Sequence, residues 1–403
     1  MSAVAAAANN NDNDAAGPRF GGAPVEPGTG HGQMLAHVLS SEPHLFTAAL
    51  EATLDRMSDD LDRDEGVGSI DVGEGGKGEA ADDSGLVLFK RIKEMRAVER
   101  RNSVQDLMYA SILQKFLNIG VDMLPPLDDE AMYLRGVDLN QLTNGVHSTE
   151  ALAMVKEHLL GMLGPTGNGY SNSLVRMSKL QAAQMYAASI MFGYFLRKAD
   201  KRFSLDRAMG TLPKTPMESA EALEALFNSA SAMDSMDEAD PANFNEKTYD
   251  VDGEGNAQAS QDADGGGTST LKQYIQSFDQ QTLAETARIV SLEGVLLAER
   301  QTGALFGAVE DLAREMQKAL EEGGEPISTP EELMSRVNDA VGSGKVKTVT
   351  VNIATQRRVV LEAVAFGSFL RDAESYVDTH DQRLLTPAPR GGQGPPGMIG
   401  SGA

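Results

Sequence analysis

The sequence predicts a mainly α-helical protein made of two duplicated helical halves, with a small β element in the second half and long disordered acidic linkers. Three observations carry this reading. Apolar residues recur at three- and four-residue spacing through four blocks of the 403-residue chain. One short segment alternates with strand period instead. An eight-residue sequence near the end of the first half returns near the end of the second.

Taken in order, residues 1–32 are rich in Ala, Asn, Gly and Pro, lack an apolar run, and are expected to be disordered. The first helical half spans 33–212. It opens with Leu45, Phe46, Ala49, Leu50, Thr53, Leu54, Met57 and Leu61, the spacing of an amphipathic helix. An acidic, Gly-rich loop is expected over 64–85. Leu88, Ile92, Met95 and Val98 then resume the helical period, Leu107 to Phe116 extend it, and Gly120 offers a stop. Met185 to Leu196 is apolar all round and reads as a buried helix.

Residues 213–270 form a longer acidic stretch that reads as a disordered linker. The second helical half spans 271–385. There Thr329-Pro330-Glu331-Glu332 has the pattern of a helix start, with Thr as cap, Pro in the first turn and Glu332 completing a capping box. Val349, Val351 and Ile353 alternate with polar residues, which is strand period, and a partner strand is sought near Pro326 to Ser328. Residues 386–403 read as a disordered tail.

The duplicated sequence is Phe192-Gly193-Tyr194-Phe195-Leu196-Arg197-Lys198-Ala199, which returns 174 residues later as Phe366-Gly367-Ser368-Phe369-Leu370-Arg371-Asp372-Ala373. Glycine inside a helix costs about 0.5–1 kcal/mol relative to Ala. Gly193 and Gly367 are therefore expected to be structural, each admitting a closely packed backbone. Arg197 and Arg371 fall where the apolar runs end and are expected to pair with acids or with terminal carbonyls.

Composition excludes several chemistries. Cys is absent, which removes disulfides, thiolate nucleophiles and Cys-ligated metals. A net charge of −24 opposes binding to nucleic acid. No apolar run reaches the ~18–20 residues of a membrane span, and the amino end carries neither a secretory signal nor a convincing transit peptide.

Motifs with catalytic or metal-binding precedent fail on inspection. Asp250 to Gly255 begins like a calcium loop, but Gln261 stands where a bidentate Glu belongs. Gly342-Ser343-Gly344-Lys345 lacks the first Gly and the magnesium-binding hydroxyl of a phosphate loop, so it reads as a turn. Gly164, Gly167 and Gly169 do not form a dinucleotide fingerprint. His147 and His158 could converge with Glu150, but the simpler expectation is scattered surface histidines. The many methionines read as gap fillers in a core poor in aromatics. The sequence thus assigns no catalytic residue, no metal ligand and no cofactor.

Two basic clusters stand against the acidic total. Leu86 to Arg101 carries six basic residues against Glu94 and Glu99, with Lys93, Arg96 and Arg100 on one helical stripe. Leu196 to Arg207 carries five against Asp200 and Asp206. Lys93, Arg96, Arg100, Arg101, Arg197 and Lys198 are the candidate partner-binding residues. They suit an acidic protein or, alternatively, a small anionic ligand or an anionic lipid surface.

One ordered set of segments runs through Leu86-Val87-Leu88-Phe89-Lys90-Arg91-Ile92, Glu99-Arg100-Arg101, Tyr109 to Phe116, Ser178-Lys179-Leu180, Tyr186-Ala187-Ala188-Ser189 and Phe192 to Leu196. In the second half it continues through Tyr274 to Asp279, Ala304-Leu305-Phe306-Gly307, Val360 to Leu370 and Glu374 to Asp378. Together these segments resemble a plant and algal chloroplast family described as UV-B-induced, whose shared domain has no known function. The resemblance implies a soluble stromal protein linked to stress or UV-B response. It supplies no catalytic residues, so the function it suggests is a protein-interaction or regulatory module and not an enzyme. The residues alone would equally suit the cytosol.

Overall fold

Two long helices that cross at glycine organise the protein. In this computed structural model the described residues are 23–68, 83–127, 138–164, 173–212, 270–322 and 329–389, with only the backbone described for 65–68 and 83–89. Along them run α1 (Gly30–Ser41), α2 (Phe46–Gly68), α3 (Asp83–Asn118), α4 (Gln141–Asn144), α5 (Thr149–Leu163), β1 (Leu174–Ser178) and α6 (Lys179–Met209). After them come α7 (Leu271–Gln276), α8 (Gln280–Ala287), α9 (Leu292–Phe306), α10 (Val309–Glu321), α11 (Pro330–Gly342), β2 (Thr348–Asn352) and α12 (Ile353–His380). The fold is mainly α, with a two-stranded sheet.

The chain divides into two compact units. One comprises Met1–Lys198 with Ala284–Ala403, the other Ala199–Leu283. Both expected halves contribute to the first unit. Within the second, Phe203 packs on Tyr274 with ring centroids 5.2 Å apart, the Tyr274 hydroxyl donates to Asp206, and Arg202 lies over the Phe278 ring.

The helix starts follow their sequence signals. Ser148, Thr270, Ser291, Thr329 and Asn352 each accept a backbone N–H through the side chain, satisfying a donor that the first turn leaves unpaired. Gly120 closes α3 with φ +70°, and Gly344 turns toward β2 with φ +72°, both in the left-handed region that favours glycine. The phosphate-loop-like segment is thus a turn, as its sequence suggested. Phe46, Leu50, Leu54, Met57 and Leu61 form the buried stripe of α2.

In α12, every residue from Arg358 to Leu370 is buried. A helix enclosed on all sides needs neighbours on all sides. It packs on α3, α4, α5 and α9, and α6 crosses it at the glycines. A Cβ on Gly193 would lie 2.0 Å from the carbonyl oxygen of Val364, and one on Gly367 would lie 2.0 Å from that of Ile190. No side chain fits in that space. The Ser368 hydroxyl donates to the Gly193 carbonyl at 3.0 Å across the crossing.

Several expectations are corrected. The partner of the Val349 strand is Leu174–Ser178 in the first half, not Pro326 to Ser328; the ladder is antiparallel with Arg176 opposite Thr350. β1 carries no clear strand signal in the sequence: Leu174 and Arg176 are exposed and only Ser178 is fully buried. Residues 64–68 and 83–85, expected in the acidic loop, are helical, since α2 continues to Gly68 and α3 begins at Asp83. Residues 23–32, expected in the disordered amino-terminal segment, are placed: Val25 is buried and Thr29 caps α1. At the other end Thr386 to Ala388 is held: the Leu292 amide donates to the Thr386 carbonyl at 2.7 Å and the Ala388 amide to the Val290 carbonyl at 2.8 Å. Most of the linker 213–270, Gly167, Gly169 and the calcium-type sequence lie outside the described residues.

Candidate interaction surface

Helix α3 has two parts with opposite surroundings. Its second part is core: Val104, Leu107, Met108, Tyr109, Ala110, Ile112, Leu113 and Phe116 are buried, and Phe116 meets Phe369 of α12 edge to face at 5.1 Å. Its first part is solvent-facing on every side from Lys90 to Arg96. The cause is compositional. Eight of the twelve residues from Lys90 to Arg101 are charged, leaving no apolar stripe wide enough to pack. The buried part therefore anchors an outward arm.

That arm exposes apolar groups among its charges. Ile92 is 40% exposed, Met95 65% and Val98 49%. All three lie on the helical period read from the sequence, and their charged neighbours turn that stripe outward. Met95 and Val98 line a groove of about 510 Å³ with Arg91, Glu94, Glu99 and Asn102. On the other side lies a cleft of about 900 Å³ between the start of α1, the end of α2 and α3, walled by Thr29, His31, Met57, Asp64, Arg96 and Arg100.

The candidate cations separate into two groups. Lys93 is exposed and forms no ion pair among the described residues. Arg96 binds Asp64 of α2 at 2.5 Å, and Arg100 sits 3.7 Å from the same carboxylate. Asp64, expected in the loop, is the group that ties the arm to α2. The remaining three are half-buried and bond to groups outside the arm. Arg101 faces fully buried Glu293 at 3.8 Å, Arg197 makes two 3.0 Å hydrogen bonds to Asp372, and Lys198 donates to the Glu285 carbonyl at 2.8 Å. The structure thus brings Lys93, Arg96 and Arg100 together on the arm, while Arg101, Arg197 and Lys198 each bond elsewhere in the fold.

The interior also holds polar groups that the sequence did not single out. Glu374 accepts from the Ser291 amide and hydroxyl on one oxygen, and from the Tyr194 hydroxyl and Arg371 on the other. All its acceptor sites are engaged, which makes it a brace rather than a reactive carboxylate. Asp106 accepts from the Thr29 amide and hydroxyl at 2.8 Å each and from Arg300 at 2.7 Å, fastening α1 and α9 to α3. Glu362, fully buried on α12, accepts from the Leu124 amide at 2.9 Å while its second oxygen lies 3.8 Å from Arg358. Burial pushes its carboxyl up to about 7.

His147 and His158 are not surface residues. Burial lowers both to about 4, so both rings are neutral near neutral pH. His158 stacks on Phe192 with centroids 4.1 Å apart and lies 3.1 Å from the Ser189 hydroxyl. That hydroxyl also lies 2.8 Å from the Met185 carbonyl oxygen, a second acceptor for its proton. Among the described residues, no helix is long and apolar enough to cross a membrane, and no group of three metal-ligating side chains converges.

A mainly helical fold with an exposed cationic arm defines the class; comparison with known proteins places the chain within it. Residues 87–209 match the family described as Protein of unknown function (DUF760). Over 367 residues the chain is 31% identical to the UV-B-induced chloroplast protein of Arabidopsis thaliana, covering 90% of this chain and 78% of that one. The chain belongs to this chloroplast family. No solved structure matches it.

Proposed function

We propose that this protein is a non-enzymatic interaction module of its family and that the arm of α3 docks an acidic, apolar-faced segment of a partner protein. The observation that carries the reading is the arm itself, where exposed Ile92, Met95 and Val98 lie beside Lys93, Arg96 and Arg100 on a helix whose other half is locked in the core. Apolar exposure of this kind gains free energy when covered, and the local excess of positive charge selects an anionic occupant. The non-enzymatic reading is supported by Glu374 and Asp106, whose acceptors are taken up by the fold.

The test uses the full chain, a labelled acidic peptide with leucine anchors at helical spacing, and vesicles of anionic lipid. The peptide should bind, and binding should weaken as salt screens contacts beyond a Debye length of about 8 Å at 0.15 M. K93E/R96E/R100E should weaken it by roughly tenfold or more, about 1.4 kcal/mol, with helical circular dichroism unchanged. Equal binding by the variant, or binding to vesicles but not to peptide, would overturn the proposal.

A further inference from the structure

The offset of 174 residues that relates the repeated sequences also relates their structures. It carries Leu174–Ser178 onto Thr348–Asn352, so β1 maps onto β2 without slippage. It carries Ser178, whose hydroxyl accepts the Gln181 amide at 3.1 Å, onto Asn352, whose side chain accepts the Thr355 amide at 2.6 Å. Each copy is therefore a strand, a side-chain cap and a glycine-bearing helix. The contacts between the copies repeat as well. Gly193 meets the carbonyl of Val364 and Gly367 meets that of Ile190; adding 174 to 190 and 193 gives 364 and 367. In the ladder, Val175 opposite Val351 becomes Val349 opposite Met177, and Arg176 opposite Thr350 maps onto itself. A pair in which residue i meets j and the equivalent of j meets the equivalent of i is isologous, the arrangement of a two-fold symmetric dimer.

We infer that the β1–α6 and β2–α12 units are two copies of one self-pairing module, and that the surface joining them is an association surface whose partner is another copy of that module. The β2–α12 copy lies beyond the family match, which ends at residue 209. In this chain the second copy fills the surface, and the same surface accepts the corresponding half of a second molecule to give a half-exchanged dimer. Within one molecule the covalent connection gives the second copy a high effective concentration, so the single chain closes on itself when folding is dilute. In concentrated folding the surface has no means of telling its own second half from a neighbour's, because the contacts are identical. The glycine crossing sets the specificity, since any residue other than Gly at 193 or 367 blocks closure.

The experiment exploits the absence of cysteine from the chain. Ile353 and Lys179 each donate to a backbone carbonyl across the ladder, to Ser173 and Lys347. Alternation from those hydrogen-bonded pairs makes Arg176 and Thr350 a non-hydrogen-bonded pair, with side chains close enough for a disulfide. Oxidised glutathione takes the two electrons and two protons as the bond forms. R176C/T350C should cross-link within one chain; failure to do so would overturn the two-fold ladder. Separate R176C and T350C chains, unfolded together and refolded at rising concentration, should give a 176–350 linked dimer that grows with concentration and is scarce when the folded proteins are simply mixed. No linked dimer at any concentration would overturn the inference. So would a collisional mixture in which 176–176 and 350–350 links together match the 176–350 link.

Discussion

Gly193 and Gly161 both sit inside helices, and the difference between them is one of surroundings. At Gly193 the Val364 backbone occupies the place of a side chain, whereas at Gly161 nothing lies within 4 Å. Gly193→Ala must force α6 and α12 apart and is expected to cost about 3 kcal/mol or more. Gly161→Ala, exposed on α5, removes only the conformational freedom of the unfolded chain and is expected to stabilise by up to about 0.5–1 kcal/mol. Chemical denaturation of the two variants beside the parent checks both signs. Equal effects would show that the crossing does not depend on glycine. The repeated sequence marked Gly193 and Gly367 as special, but their reciprocal contact with Val364 and Ile190 required the crossing itself.

At the scale of elements, Glu362 joins α12 to the extended residues that follow α3. One oxygen holds the Leu124 amide, while Arg358 on the previous turn donates to the Asp122 carbonyl at 2.8 Å. The groups facing Glu362 are Arg358 on its own helix and, by electrostatic influence, Tyr109 of α3 and Tyr186 of α6, both held above the ordinary tyrosine range chiefly by burial. The carboxyl titrates higher in the folded than in the unfolded chain, so between about pH 4.5 and about pH 7 the folded state holds the extra proton. The stability this carboxyl contributes therefore falls as pH rises through that window and is gone above it, while the rest of the fold's stability is unaffected. Glu362→Gln keeps the acceptor for Leu124 but cannot ionise. Its stability relative to the parent should improve between pH 5 and pH 8, on the order of 2–4 kcal/mol by linkage. Denaturation curves at the two pH values measure the difference, and a constant gap between the proteins would contradict the assignment. None of this was legible in advance, because an isolated Glu in an apolar run reads the same whether it faces a backbone amide or water.

For the whole molecule, the division of α3 gives a sharp expectation. It is a single helix of 36 residues, yet its two parts differ in everything that resists opening. Amide exchange should be slowest in Arg358–Leu370 of α12 and in Val104–Phe116 of α3, and orders of magnitude faster in Lys90–Val98, where buried apolar contacts are lacking. Uniform protection along α3 would mean that the arm is packed in solution, and the docking proposal would lose its footing.

The sequence by itself determined the helical class, the helix starts at Ser148 and Thr329, the strand character of Val349–Val351, the repeat and the two glycines. Each of these depends on residues close together in the chain, where period, cap and turn chemistry act directly. Only the tertiary structure decided which partner β2 takes, that Asp64 fastens the arm, that Arg197 serves Asp372 while Lys93 faces solvent, and that His158 lies against Phe192. Pairing and burial are properties of contacts between residues far apart in sequence, and a charged or apolar side chain carries no local mark of which neighbour it will meet.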